Sequence, residues 1–424
     1  ITTSGGNVDI VAATNIAVNQ AVTTAGGNVD LTATAGALTS AADGDINTTH
    51  GTAGSNSGQV TVSVGTDINL DGDITTTGNG AGNATSVNLT TTNGDVTVAA
   101  ISADASGGGT TGTITLDANG ANSDVVVQND LTTTGGGITI TADDAIAFAA
   151  AANVASGGGN VSVRGNDDPA AGNGILVADG PVTAANSINM VDGSSINSGA
   201  GTTTLRTDGG NGGLINAEDI TASAATIHAE TTANINGPIN TSGLVDIDAD
   251  TGSANINQAI NAGSLQINAN GTNGDADINA NLTTTGGNIA VTVDDAILVA
   301  AGVTIASGGG DVTLRANLDG AAGNGGPAAA DSIDMVDGSS INSGGGTTTL
   351  RTDGGNGGTI RAENITTANG TVTINAETTA SVEGPIASGG ALVEIESLMA
   401  DVNVNDTITT SGGNVDIVAA TNIA

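Results

Sequence analysis

Thr23-Thr24-Ala25-Gly26-Gly27-Asn28-Val29-Asp30-Leu31-Thr32-Ala33 decides how the chain is read. Side chains alternate along a strand, so Val29 and Leu31 share one face and Asp30 and Thr32 the other. The glycine pair before them marks a corner, because glycine tolerates positive φ where a β-carbon is strained. The preceding turn reads the same way. Val8 and Ile10 lie on one short strand in Val8–Ala12, Ile16 and Val18 on a second in Asn15–Val18, and Ala21–Thr24 forms a third. Three short strands and a corner make one coil of a triangular parallel β-helix, with backbone hydrogen bonds running between coils about 4.8 Å apart.

The same unit returns along the chain, at Val60/Val62, Val87/Leu89, Ile114/Leu116, Ile138/Ile140, Val245/Ile247, Ile289/Val291, Val372/Ile374 and Val415/Ile417 among others. Helical periodicity is absent nearly everywhere. A period of about 22–23 residues falls in the range of solenoids. The expectation is an all-β, right-handed parallel β-helix (β-solenoid) of about 19 coils over residues 1–424, with one continuous core and a length of about 90 Å.

Longer repeats lie above the coil. Residues 1–17, ITTSGGNVDIVAATNIA, recur unchanged as residues 408–424, a shift of 407. Within that span, MVDGSSINSG at 190–199 returns at 335–344, and GTTTLRTDGGNGG at 201–213 returns at 346–358. LTTTGG at 131–136 returns at 282–287, giving internal repeats of about 131–281 and 282–424. The shift drifts from 151 to 145 between these blocks, so length changes are tolerated at particular places, as loops on a regular stack allow.

The coil signature T-T-x-G-G-N-V-D-I/L-x-A, as it stands in Thr23–Ala33, resembles the repeats of filamentous-haemagglutinin-type exoproteins and other giant bacterial β-strand-repeat adhesins. The resemblance covers essentially the whole chain. It implies a β-solenoid stalk on an extracellular bacterial surface, with secretion and capping segments elsewhere.

Composition agrees with a narrow core of modest side chains. There is a single Phe (Phe148), no Trp, Tyr, Cys or Lys, and 67 glycines. Lack of Cys excludes a disulfide framework and a thiolate metal site. The net charge of −38 is scattered along the chain, mostly on single Asp and Glu residues, and not gathered in an acidic tail. That argues against nucleic acid or anionic membranes as partners and favours cations. The apolar runs Ala145–Ala152 and Ala296–Ala301 are too short for membrane insertion. With Ile at position 1 and no signal peptide in view, the chain reads as an internal segment of something longer.

Candidate chemistry is sparse. Asp143/Asp144 and Asp294/Asp295 are adjacent, and neighbours on a strand point to opposite faces, so neither pair can flank a glycosidic bond alone. Arg206 and Arg351 occupy identical Leu-Arg-Thr-Asp-Gly-Gly contexts, which suits pairing with Asp208 and Asp353. Neither His50 nor His228 sits in a metal or catalytic pattern. The glycines of 209–213 and 354–358 lack the Asp of the calcium-binding nonapeptide G-G-x-G-x-D-x-U-x. Two Asp-Gly-Asp clusters remain as calcium candidates, Asp43/Asp45 and Asp71/Asp73, because each brackets a glycine that lets backbone oxygens approach.

The expected function is therefore non-enzymatic: a structural repeat of an extracellular filament, stalk or sheath that continues end to end with neighbouring copies. The alternative is an adhesive module that binds other cells or extracellular matrix through inserted loops. Thr48–Gly58, Asn166–Gly174 and Leu318–Pro327 are the candidate loops.

Overall fold

A computed structural model describes residues 1–105, 107–167, 187–210, 212–318, 332–355 and 357–424. The chain forms two compact units, Ile1–Ser223 and Ala224–Ala424. Every regular element among the described residues is a β-strand, and the strands among them pair in parallel.

The first turn shows the plan. Strand β1 (Val8–Ala12) lies on the first face, β2 (Ile16–Val18) on the second and β3 (Val22–Thr23) on the third; β4 (Val29–Ala33) then opens the next turn. The pairing of β1 with β4 sets Val8 against Val29, Ile10 against Leu31 and Ala12 against Ala33. The first unit holds eight such turns, and the second holds eight followed by the first-face strand Val415–Ala419. The fold is thus a three-sided parallel β-solenoid.

About 16 turns are present rather than 19. The sequence estimate divided the chain by the plain turn, whereas several turns carry insertions. The spacing is 20 residues at Val245–Leu265 but 31 at Val29–Val60, 36 at Val312–Thr348 and 42 at Val161–Thr203. Paired strands flank each insertion, so extra length leaves the stack's register intact.

In-register stacking puts like above like. On the first face of the second unit Ile227, Ile247, Ile267 and Val291 follow one another, all buried. The third face of the first unit carries Val22, Ile46, Ile74 and Ile101 in the same manner. The interior is narrow enough that Phe148, fully buried between Val127 and Met190, is the largest side chain in it. Truncating one interior Ile to Ala costs about 2–5 kcal/mol in a close-packed core.

The glycine pair serves two purposes. Gly26 has φ +104°, the left-handed conformation anticipated for a corner. Gly27 has no such φ; a β-carbon on it would lie 2.2 Å from the Gly6 carbonyl oxygen of the turn before. The same close approach recurs at Gly58 over Gly27 and at Gly159 over Gly136. Thr24 completes the corner: its buried hydroxyl donates to the Gly27 carbonyl. Thr133 to Gly136 (2.5 Å), Ser198 to Gly201 (3.0 Å) and Thr367 to Gly370 (2.6 Å) repeat the bond.

Candidate functional site

Asn and Asp side chains at the coil corners are the chemically distinctive feature. A residue that turns the chain leaves the next turn's first amide without a ladder partner, and a side-chain oxygen one turn earlier supplies it. At the corner entering the first face, Asn7 Oδ1 accepts from the Asn28 amide (2.9 Å), Asn28 Oδ1 from Gln59 (3.0 Å) and Asn83 Oδ1 from Thr110 (2.8 Å). The second unit continues the pattern: Asn288 Oδ1 accepts from the Asp311 amide (2.9 Å) and Asp311 Oδ1 from the Thr347 amide (2.8 Å).

The calcium candidates belong to this system. Asp45 Oδ1 accepts from the Asp73 amide at 3.0 Å, and Asp73 Oδ1 from the Ala100 amide at 3.2 Å. Asp43 and Asp71 stand exposed beside them. At the intervening glycines backbone approaches backbone closely. A β-carbon on Gly44 would meet the Val18 carbonyl oxygen at 2.0 Å, and one on Gly72 the Gly44 carbonyl carbon at 2.6 Å. Their role is to let one turn sit on the last. Among the described residues no group of three or more His, Asp or Glu side chains is placed to hold a metal ion.

A second aspartate ladder runs down the corner between the first and second faces. Asp67 Oδ1 accepts from the Asp95 amide (3.1 Å), Asp95 from Asp124 (3.0 Å) and Asp124 from Ala145 (2.9 Å). Burial pushes the Asp124 carboxyl up to about 7, the repulsion of Asp144 and Asp95 adds to it, and the bond from Ala145 opposes it. Asp95 is raised by burial and by Asp67 and Asp144. In the second unit Asp275, which accepts from the Ala296 amide at 3.1 Å, is pushed up to about 6, chiefly by burial.

Gly355, Gly357 and Gly358 bind an anion that the chain itself supplies. Glu377 is buried, and its carboxylate accepts from the amides of Gly355, Gly357 (3.2 Å) and Gly358 (2.9 Å) and from Asn317 Nδ2 (2.8 Å). Amides gathered on one carboxylate in this way form a concave anion nest. Gly355 and Gly357 take φ +80° and +109°, and Gly210 and Gly212 in the earlier copy take +78° and +98°. Glu230, also buried, occupies the position in that copy that Glu377 has in this one. The sequence signal was the shared Ala-Glu-Thr-Thr-Ala after each glycine turn, which sequence reasoning passed over.

All five arginines pair with carboxylates. Arg164 and Arg206 are neighbours on the first face and share Asp208, and Arg315 and Arg351 share Asp353. Arg361 bridges Asp334 (3.3 Å), Asp337 and Glu363 (3.2 Å). The expected partners Asp208 and Asp353 are the ones found. His228 Nε2 lies 3.1 Å from Asp250, and His50 Nδ1 accepts from the Thr52 amide at 3.0 Å. Asp144 and Asp295 are buried and Asp143 and Asp294 half-buried, and both pairs lie at bends between strands rather than on a strand, so strand alternation does not govern them.

Of the three candidate loops, Thr48–Gly58 is ordered by its neighbours. The Gly54 amide donates to the Asn79 carbonyl (2.7 Å), Asn79 Nδ2 to the His50 carbonyl (3.0 Å) and the Ala84 amide to the Thr110 carbonyl (3.0 Å). Insertions in three successive turns thereby stack into a ridge. Most of Asn166–Gly174 and Leu318–Pro327 lies outside the described residues. Among the described residues no helix is long and apolar enough to cross a membrane. No family model, curated protein or solved structure matches the chain.

Proposed function

We propose that the chain is a structural repeat of an extracellular bacterial filament, stalk or sheath, in the manner of filamentous-haemagglutinin-type exoproteins, and that its stack continues end to end. The observation that carries this reading is the repetition of residues 1–17 as 408–424 with the same local geometry. Thr3 donates to the Gly6 carbonyl at 2.6 Å and Thr410 to Gly413 at 2.7 Å; Gly5 has φ +96° and Gly412 +112°. The polar groups that would otherwise suggest chemistry are spent on holding turns together, which favours a structural role over a catalytic one. Electron microscopy of the purified chain at rising concentration, and of the cells that make it, tests the proposal. Filaments with a repeat of about 4.8 Å along the axis support it. A monomer at every concentration, with no filament on the cells, overturns it.

A second reading, adhesion to cells or matrix, is favoured by the ridge of stacked insertions at 48–58 and 77–84. Binding of the chain to cells or matrix proteins that is lost when Thr49–Ser57 is replaced by a short glycine turn would support it. Unchanged binding, or none at the outset, would remove it.

A further inference from the structure

The two internal repeats differ in charge at one corner, where the second face gives way to the third. In the second unit, strand Ile333–Met335 pairs with Ile360–Ala362 and sets Asp334 opposite Arg361. The Arg361 guanidinium fills a cradle of oxygens. Nη1 donates to Asp334 Oδ1 at 3.3 Å and to the Met335 carbonyl at 3.0 Å, and Nη2 to Glu363 at 3.2 Å and to Asp337. The first unit has the same corner: Ile188–Met190 pairs with Ile215–Ala217 and sets Asn189 opposite Asn216. Asp192 stands where the later copy has Asp337, Glu218 where it has Glu363, and Met190 where it has Met335. The turns match as well. The Ser194 amide donates to the Val191 carbonyl and that of Ser339 to Val336, both at 2.9 Å, with Gly193 at φ +90° and Gly338 at +82°. Asn216, however, occupies the place of the arginine, and its Nδ2 donates to Asn189 Oδ1 at 2.9 Å.

We propose that this corner of the first unit binds calcium on the Asp192 and Glu218 carboxylates and the Met190 carbonyl, in the place where the second unit seats the Arg361 guanidinium. Glu218 is only 8% exposed, and it has no hydrogen-bond or ion-pair partner among the described residues. A buried carboxylate left without donor or counter-charge is costly, so the corner is short of a cation. Burial holds the Glu218 carboxyl above its ordinary range, and the repulsion of Asp192 and Asp219 pushes it the same way. At Glu363 the same burial is opposed by Arg361. The donors available in the first unit are all oxygens, two of them charged, and they come from a strand end, a turn and the following strand. Calcium accepts such an irregular set with water completing its shell, whereas magnesium demands a near-ideal octahedron. With two carboxylates and a backbone oxygen, this is a different kind of set from three gathered acidic side chains, of which the described residues have none.

Calcium titration of the full chain by isothermal calorimetry, at physiological salt to screen diffuse counterion binding, tests the site. The unaltered chain should bind calcium saturably. Asn216→Arg, which gives the first unit the guanidinium of the second, should remove one equivalent and should melt no lower than the unaltered chain in chelator. Glu218→Gln keeps the shape of the side chain and should weaken the same equivalent by about tenfold or more through loss of one ligand charge. Arg361→Asn should have the reverse effect and add an equivalent in the second unit. Circular-dichroism spectra taken before each titration establish that the variants fold. Should Asn216→Arg fail to fold, Glu218→Gln decides alone, and an unchanged affinity in it overturns the proposal. Calcium binding that is the same in Asn216→Arg and Glu218→Gln as in the unaltered chain, or no saturable binding to the unaltered chain, likewise overturns it.

Discussion

Asp124 carries a testable electrostatic cost. Its carboxyl sits near 7 in the folded protein against an ordinary value of 3.8, so the folded state holds the proton more tightly than the unfolded one. Such a group costs no stability below about pH 4, costs progressively more as pH rises to about 7, and adds nothing further above that. The chain should therefore melt at a higher temperature at pH 5 than at pH 8. Asp124→Asn keeps an oxygen for the Ala145 amide and removes the charge. It should raise stability at pH 8 by about 1–3 kcal/mol, after allowance for solvent screening, and flatten the pH profile. Circular-dichroism melts across pH 4–8 check both, and an unchanged profile in the variant would show that Asp124 is not the source. Glu377 makes the opposite case, a buried charge fully met by donors. Glu377→Ala should cost about 2–4 kcal/mol by stranding three amides and Asn317, whereas Glu377→Gln, which retains oxygen acceptors, should cost less; urea titration of both separates them.

At the scale of the strand and corner, the alternation Val29-x-Leu31 and its relatives made the inward columns legible, because a narrow parallel stack obliges identical positions to coincide. The division of labour in Gly26-Gly27 was not legible. Positive φ is a local property that a sequence motif announces, but the approach of Gly6 to Gly27 is made by a segment 21 residues away. For the same reason the Asn and Asp acceptors escaped notice, since each serves an amide one turn later rather than its own neighbours. The recurring Asn before Val-x-Ile or Val-x-Leu was the available clue. Gly27→Ala should consequently destabilise far more than the usual cost of about 1 kcal/mol for altering a turn glycine, since backbone must move on both turns. Gly54→Ala, where a β-carbon meets nothing but φ is +84°, should cost only about 1 kcal/mol. Thermal melting of the two variants side by side checks the contrast.

At the scale of the whole chain, composition excluded a thick aromatic core, and the repeats exposed the architecture. Coil number was overestimated because inserted residues are indistinguishable, by count alone, from residues that form a turn. The charge of −38 has a consequence for solution behaviour. Stacked carboxylates repel across neighbouring turns, which lie well within the Debye length of about 8 Å at physiological salt. Divalent cations should therefore raise the melting temperature more than sodium at matched ionic strength. Calcium should exceed magnesium if Asp43, Asp45, Asp71 and Asp73 ligate it, and should equal it if the charge is a diffuse coat. Melts in calcium, magnesium and chelator decide between the two, and coincidence of all three curves would dismiss both.

The confinement of length changes to corners also bears on heredity. Coding DNA for one plain turn is a cassette: copied or lost by slippage between near-identical neighbours, it leaves every surviving amide with an acceptor and every inward column unbroken. A frame-preserving gain of one residue inside a strand has the reverse effect, since it turns the following side chains inside out. Alleles should accordingly differ by whole turns or by corner inserts, and scarcely ever by single residues within a strand.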